Sequence, residues 1–205
     1  MTIKVDEEFS DWETYYKNNE VTKMPWYDKN LDHDLENEIK TRNVSSGRFL
    51  DLGTGPGTQA IQLAKQGFDV TATDLSENAI LKAKNLSNEV NFVKDDFMNS
   101  KLQDNEFNFI FDRGCFHVFD IPQRTTYVEQ IKRILNKNGI LFLKCMSIDE
   151  KYLPADKGPH RLSKQEIRDV FSHDFEIETI RDTFFTGTIN PLPKALFAVL
   201  KKKPN

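Results

Sequence analysis

The sequence predicts an α/β protein with a doubly wound, mostly parallel sheet and an antiparallel pair of strands at its C-terminal end. Three observations predict it. From residue 48 to 144, short apolar strand-like runs alternate with amphipathic helical runs, the rhythm of parallel strands covered by helices on both faces. Residues 107–111 are apolar nearly throughout, as a central strand buried on both sides should be. The last two strand-like runs, 175–184 and 194–201, have no helix between them, so they pair most easily as antiparallel neighbours at the sheet edge.

Each element has its own signal. Residues 48–52 form a strand that runs into a glycine turn. Residues 59–66 read as a helix with Ala60, Leu63 and Ala64 on one face and Gly67 as its stop. The strand 68–73 ends on Asp74, and Ser76 is placed to cap a helix over 77–85. Residues 90–93 and 107–111 supply the third and fourth strands. A helix over 123–135 carries Tyr127, Ile131, Ile134 and Leu135 at helical spacing, and the Asn138-Gly139 turn leads into a strand over 140–144. Residues 164–171 read as the last helix. Ahead of all this, residues 1–44 are polar yet hold Phe9, Trp12, Tyr15, Tyr16, Trp26 and Tyr27, too aromatic for a disordered tail. The spacing from Phe9 to Tyr16 suits a short amphipathic helix. Residues 1–44 are therefore expected to be a helical, aromatic cap on a main body formed by 45–205, within one structural domain.

A chain of 205 residues suffices for one well-buried domain with some decoration. Its 38% hydrophobic and 29% charged residues are those of an ordinary soluble protein. A net charge of −4 argues against a protein built mainly to grip a phosphate backbone. No run approaches the ~18 apolar residues that span a bilayer, and the acidic start lacks an apolar signal core. Cys115 and Cys145 read as reduced thiols, not as a disulfide or a zinc site. The expectation is a cytoplasmic monomer or weak homodimer with no metal, membrane or nucleic-acid partner.

The chemistry concentrates around Gly53-Thr54-Gly55-Pro56-Gly57, where a strand hands over to a helix. Glycines there let the backbone approach a ligand closely. Surface turns are also glycine-rich, so the context decides. Asp51 lies just ahead of the loop, where a carboxylate repels a pyrophosphate but suits a cationic amine. Asp74 ends the next strand, at the distance where an acid binds ribose hydroxyls. Asp95 and Asp96 end the third strand, where an acid accepts from an exocyclic amine, and Phe97 follows as a wall for a ring. The dinucleotide fingerprint wants a third glycine where Thr58 stands, and the phosphate-binding P-loop wants a Lys-Ser or Lys-Thr that is absent. A ligand with ribose, adenine and an ammonium group but no phosphate is S-adenosylmethionine.

At these residues the chain resembles the class I S-adenosylmethionine-dependent methyltransferases. Residues 49–57 are similar to their first motif, 70–74 to their second and 92–97 to their third; Leu135-Asn136-Lys137-Asn138-Gly139 matches their usual Leu-x-Pro-Gly-Gly turn imperfectly. The resemblance implies a Rossmann-like, seven-stranded sheet from about residue 45 onward. Asp112-Arg113-Gly114-Cys115-Phe116-His117 and Met24-Pro25-Trp26-Tyr27-Asp28 are most similar to the thiopurine and tellurite-resistance branch, which acts on small molecules. The resemblance implies that Asp51 and the backbone of Gly53, Thr54, Gly55 and Gly57 hold the methionine end. It further implies that Asp74 binds the ribose, with Leu75 beside the adenine. Asp96, flanked by Asp95 and Phe97, would reach the adenine amine. Asp112 and Arg113 would lie under the methionine moiety, largely through their backbone.

Methyl transfer from a sulfonium is an in-line displacement with a neutral leaving group, so alignment and exclusion of water dominate. No catalytic side chain is assigned from sequence. The acceptor-side candidates are Trp26, Tyr27, Cys115, His117, His160 and Arg161. Each has a plainer reading. Cys115 suits a buried small hydrophobe, His117 a helix-start histidine, and the tryptophan and tyrosine packing residues. His160 and Arg161 follow an ordinary Gly-Pro turn. The expected function is methyl transfer to a small-molecule acceptor, with a thiol or other soft nucleophile leading. The rivals are N- or O-methylation of a metabolite, a nicotinamide-dependent oxidoreductase and a non-catalytic binder of an adenosyl ligand.

Overall fold

The computed structural model describes residues 11–153 and 158–204. Two helices come first, α1 (Trp12–Asn18) and α2 (His33–Thr41). They are followed by β1 (Arg48–Leu52), α3 (Thr58–Lys65), β2 (Asp69–Asp74), α4 (Glu77–Leu86), β3 (Asn91–Lys94) and β4 (Phe107–Arg113). Then come α5 (Ile121–Ile134), β5 (Leu135–Met146), α6 (Lys164–Phe171), β6 (Phe175–Phe184) and β7 (Lys194–Lys202). The seven strands of the described residues form one sheet in the order β3-β2-β1-β4-β5-β7-β6. β3, β2, β1, β4 and β5 are parallel, and β7 runs antiparallel to both β5 and β6. The expected doubly wound sheet and terminal antiparallel pair are both present.

Alternation along the strands builds two cores. On one face, Leu50, Ile110, Leu141 and Leu143 pack under Tyr127 and Ile131 of α5 and Ile167 and Phe171 of α6. On the other, Phe49, Val70, Phe111 and Phe142 pack under Leu35 and Ile39 of α2, Leu63 of α3 and Ile80 of α4. Burying one such side chain stabilises the fold by roughly 1.5–3 kcal/mol.

Three of the boundaries that differ from expectation have a clear local cause. α1 is capped by Asp11, whose carboxylate accepts the N–H of Thr14 at 3.1 Å, while Phe9 lies outside the described residues. α5 starts two residues early, at Ile121, because the Gln123 side chain reaches back to accept the N–H of Asp120 at 3.0 Å. β5 begins where α5 ends, since Leu135 already pairs with Phe107 of β4.

The second cap helix, α2, has no local signal as strong as its tertiary one. Asp32 caps it, and just beyond the cap lies Lys144 of β5, fully buried. The Lys144 ammonium sits 2.8 Å from Asp32 and 2.8 Å from Asp34, Arg113 reaches Asp32 at 2.9 Å, and Thr183 donates to Asp34 at 2.6 Å. Burial alone pushes the Asp32 carboxyl up, but Lys144 and Arg113 outweigh it and hold the group below the usual carboxylate range. This cluster ties the cap to the middle of the sheet.

Sheet growth reverses at β1, which has β2 on one side and β4 on the other. In an open α/β sheet the crevice at the carboxyl ends of two such strands is where ligands bind.

Candidate active site

A cavity of about 370 Å³ opens at that crevice. Every strand contributes to it. Gly53 follows β1, Asp74 and Leu75 end β2, and Asp95, Asp96 and Phe97 follow β3. Arg113, Gly114, Cys115 and His117 come from the end of β4, Met146 from β5, Phe185 from just after β6 and Pro193 from just before β7. Trp12, Tyr16 and Trp26 of the cap complete the wall, which gives the aromatic cap its position over the site. Following the strand order, the acids lie at one end and Met146, Phe185, Ile189 and Pro193 at the other.

The glycine loop is shaped by what presses on it. Gly53 and Gly55 have φ of 66° and 54°. A Cβ on Gly55 would stand 2.7 Å from the Tyr16 hydroxyl, and one on Gly53 would stand 2.9 Å from Cβ of Cys115. A Cβ at either position would force its neighbour to shift. Gly55 donates its N–H to Oδ2 of Asp74 at 2.8 Å, and Ser76 donates to Oδ1 at 2.9 Å. Each oxygen of Asp74 thus spends one lone pair on the backbone and keeps another. Burial pushes the Asp74 carboxyl up to about 6, despite these two N–H groups.

The third-strand acids divide their roles. Oδ1 of Asp95 accepts the N–H of Lys101 at 3.0 Å, while its Oδ2 is buried with no hydrogen-bond partner. Asp96 is exposed and spends its oxygens on Met98 N–H and the Asn99 amide. The Phe97 ring is buried and packs edge-on against Tyr127 at 5.3 Å. Leu75, by contrast, is 57% exposed, an apolar side chain held open beside Asp74.

Several expected site residues lie behind the cavity wall or turn their side chains away from it. Asp51, Thr54, Gly55 and Gly57 are not on the cavity wall. The Asp51 carboxylate is turned into the loop, where it accepts the Thr54 hydroxyl at 2.5 Å, and burial pushes it up to about 6. Tyr16 lies over Gly55. Asp112 is also behind the wall: its carboxylate collects the N–H groups of Gly114, Cys115 and Phe116 and the Tyr127 hydroxyl at 2.6 Å, so it folds the turn that follows β4. The Arg113 side chain turns toward the cap, bonding Asp32, the Trp26 carbonyl at 3.1 Å and the Thr186 carbonyl at 2.6 Å. Tyr27 packs in the cap cluster, off the cavity wall. Arg161 donates to the carbonyls of Glu150 and Leu153, which fastens the segment after β5. Trp26, Cys115, His117 and His160 do meet at the cavity. Burial pushes the Cys115 thiol well above its ordinary value, so it remains a thiol. Sequence reasoning missed Met146, Phe185, Ile189 and Pro193; their one local signal was the proline-rich run before β7.

The comparisons agree with this geometry. Residues 49–139 match the family described as a methyltransferase domain. An uncharacterized methyltransferase of Schizosaccharomyces pombe is 31% identical over 106 residues, covering 50% of this chain and 73% of that protein. Human EEF1A lysine methyltransferase 2 is 28% identical over 141 residues, covering 62% of this chain and 53% of that protein. This chain therefore spans about half the length of that relative. A solved structure described as "Conversion of a Disulfide Bond into a Thioacetal Group during Echinomycin Biosynthesis" superposes with a TM-score of 0.80 at 20% identity, covering 94% of this chain and 92% of the other. The chain belongs to the class I S-adenosylmethionine-dependent methyltransferases, whose methyl donor is S-adenosylmethionine. The residues present fit that cofactor: Asp74 with its spare lone pairs, Asp95 with one oxygen left without a partner, and Asp96 are acid residues that line a cavity of the size of small-ligand sites. No helix among the described residues is long and apolar enough to cross a membrane.

Proposed function

We propose that this protein transfers a methyl group to a small-molecule acceptor through a soft nucleophile, a thiol first among them. The observation that carries this reading is the wall of the cavity away from the acids. It is built from Met146, Phe185, Ile189 and Pro193, with no carboxylate among the described residues at that end. Such a wall suits a compact apolar body and gives no counter-charge to a protonated amine.

Under this reading Asp74 accepts from the ribose hydroxyls, Asp96, flanked by Asp95, accepts from the adenine amine, and Leu75 covers the ring. Bound there, the cofactor supplies an electrophilic methyl on a sulfonium. The chain's own part is to align the acceptor and keep water out, the latter through Trp12, Tyr16 and Trp26. No base is required when the nucleophile arrives as a thiolate. The solved structure named above for work on a disulfide supports a sulfur acceptor as an analogy of fold. The likeness to a lysine methyltransferase favours a second reading, a protein acceptor.

The test is transfer of label from S-adenosylmethionine across thiols, thiopurines, selenite, tellurite, amines, and whole protein and RNA extracts. Label in a small thiol, with none in the macromolecules, is expected. Label confined to protein or RNA would overturn the reading.

A further inference from the structure

His117 sits in a 3₁₀ turn just after β4 and is 8% exposed. Its Nδ1 lies 3.0 Å from the backbone nitrogen of Met146. That nitrogen carries a hydrogen, so Nδ1 must present its lone pair and the ring proton must reside on Nε2. Nε2 lies beside Gly114, where an added Cβ would come within 3.0 Å of it, and both residues line the cavity. It has no hydrogen-bond partner among the described residues. The Phe185 ring packs against the imidazole at 5.7 Å, and the His117 backbone carbonyl accepts the His160 N–H at 2.7 Å.

We infer that His117 is a fixed hydrogen-bond donor to the methyl acceptor, its Nε2–H engaging a lone pair on a compact, largely apolar molecule. This rests on the reading that the apolar end of the cavity takes a small acceptor. His117 stands where the glycine-loop side of the cavity, at Gly53 and Cys115, meets the Met146 and Phe185 side. A donor there holds a thiolate, a carbonyl or an aromatic nitrogen, and rejects an ammonium group, which offers only further N–H donors. It does not act as a base, because its one free nitrogen already carries the proton. Burial, with His160 nearby, holds the imidazole down to about 3, which agrees with a ring that stays neutral.

Two measurements on the full chain with S-adenosylhomocysteine bound test this. In long-range ¹H–¹⁵N spectra at pH 7.5, the His117 ring is expected in the Nε2–H form; the Nδ1–H form or an imidazolium overturns the inference. In the second, pyridine and benzene are titrated as probes of equal shape, only one of which has a lone pair. Pyridine is expected to bind about three- to tenfold more tightly and to shift the Nε2–H resonance. His117→Asn keeps an oxygen for the Met146 N–H but has no atom at Nε2, and should erase the preference; His117→Gln, which places an amide there, should restore part of it. No preference in the wild type, through equal binding or through none, overturns the donor role. A pyridine preference that persists while no small acceptor is methylated would instead overturn the functional reading.

Discussion

The Lys144 ammonium and the Asp32 carboxylate, 112 residues apart in sequence, lie 2.8 Å from each other with no exposed surface on either side chain. The pair fastens the start of α2 to β5. Removing Lys144 leaves Asp32 with Arg113, and Asp34 with Arg181 and the Thr183 hydroxyl. Lys144→Met leaves Asp32 and Asp34 buried without their ammonium and is expected to cost about 3–5 kcal/mol in urea unfolding. A loss below about 1 kcal/mol would show that the cluster is not what holds the cap.

Arg113 carries the same connection toward the site. Its guanidinium holds Asp32, the Trp26 carbonyl and Thr186 together, joining the cap to the segment between β6 and β7. A lysine offers a single point of donation in place of a planar fork. Arg113→Lys should therefore loosen the Trp26 wall and speed release of S-adenosylhomocysteine about tenfold in stopped-flow measurements. An unchanged release rate would detach Arg113 from the closing of the cavity.

His117 supplies a stability test independent of any ligand. Its folded value is depressed to about 3 from an ordinary 6.5, so its contribution is whole above 6.5 and is lost as the pH falls toward 3, the unfolded chain binding the proton first. Between pH 7 and pH 5, the stability of the wild type relative to His117→Asn should fall by about 2 kcal/mol. Equal pH slopes for the two proteins would place a protonatable histidine at that position.

Asp74 titrates the other way. Its carboxyl is pushed up to about 6 by burial, and the ionised form is the better acceptor for two hydroxyls. Affinity for S-adenosylhomocysteine should hold from pH 8 to about 7 and decline as the pH drops through 6, read by calorimetry. A flat profile down to pH 5 would mean that Asp74 does not meet the ligand as a carboxylate.

What the sequence made legible was local. Strand runs, the glycine loop and the acids at the ends of β2 and β3 each declare themselves within a few residues, because alternation, turn chemistry and capping act over that range. Asp51 reads as a ligand group because a carboxylate ahead of the glycine loop suits a cationic amine, and Asp112 by resemblance, largely through its backbone. Here Thr54 and three backbone N–H groups claim them first, and no spacing rule shows that competition. The helix α2 was missed although Asp32, Leu35 and Ile39 have the right offsets, because its charged sequence is stabilised by Lys144 and Arg181 from distant strands. The apolar wall of Met146, Phe185, Ile189 and Pro193 is assembled from three separate segments and exists only once β7 has paired with β5 and β6.

Asp74, with Gly55 donating to it at 2.8 Å, is expected to form the adenosyl half of a methyl-donor site. Calorimetric titration of S-adenosylhomocysteine into the wild type and into Asp74→Ala tests it most directly. One site per chain, no heat from NADH, and an affinity loss on the order of 1–3 kcal/mol in the variant are expected, as buried hydroxyls lose their acceptor. Unchanged affinity in Asp74→Ala, or binding of NADH in place of S-adenosylhomocysteine, would contradict it.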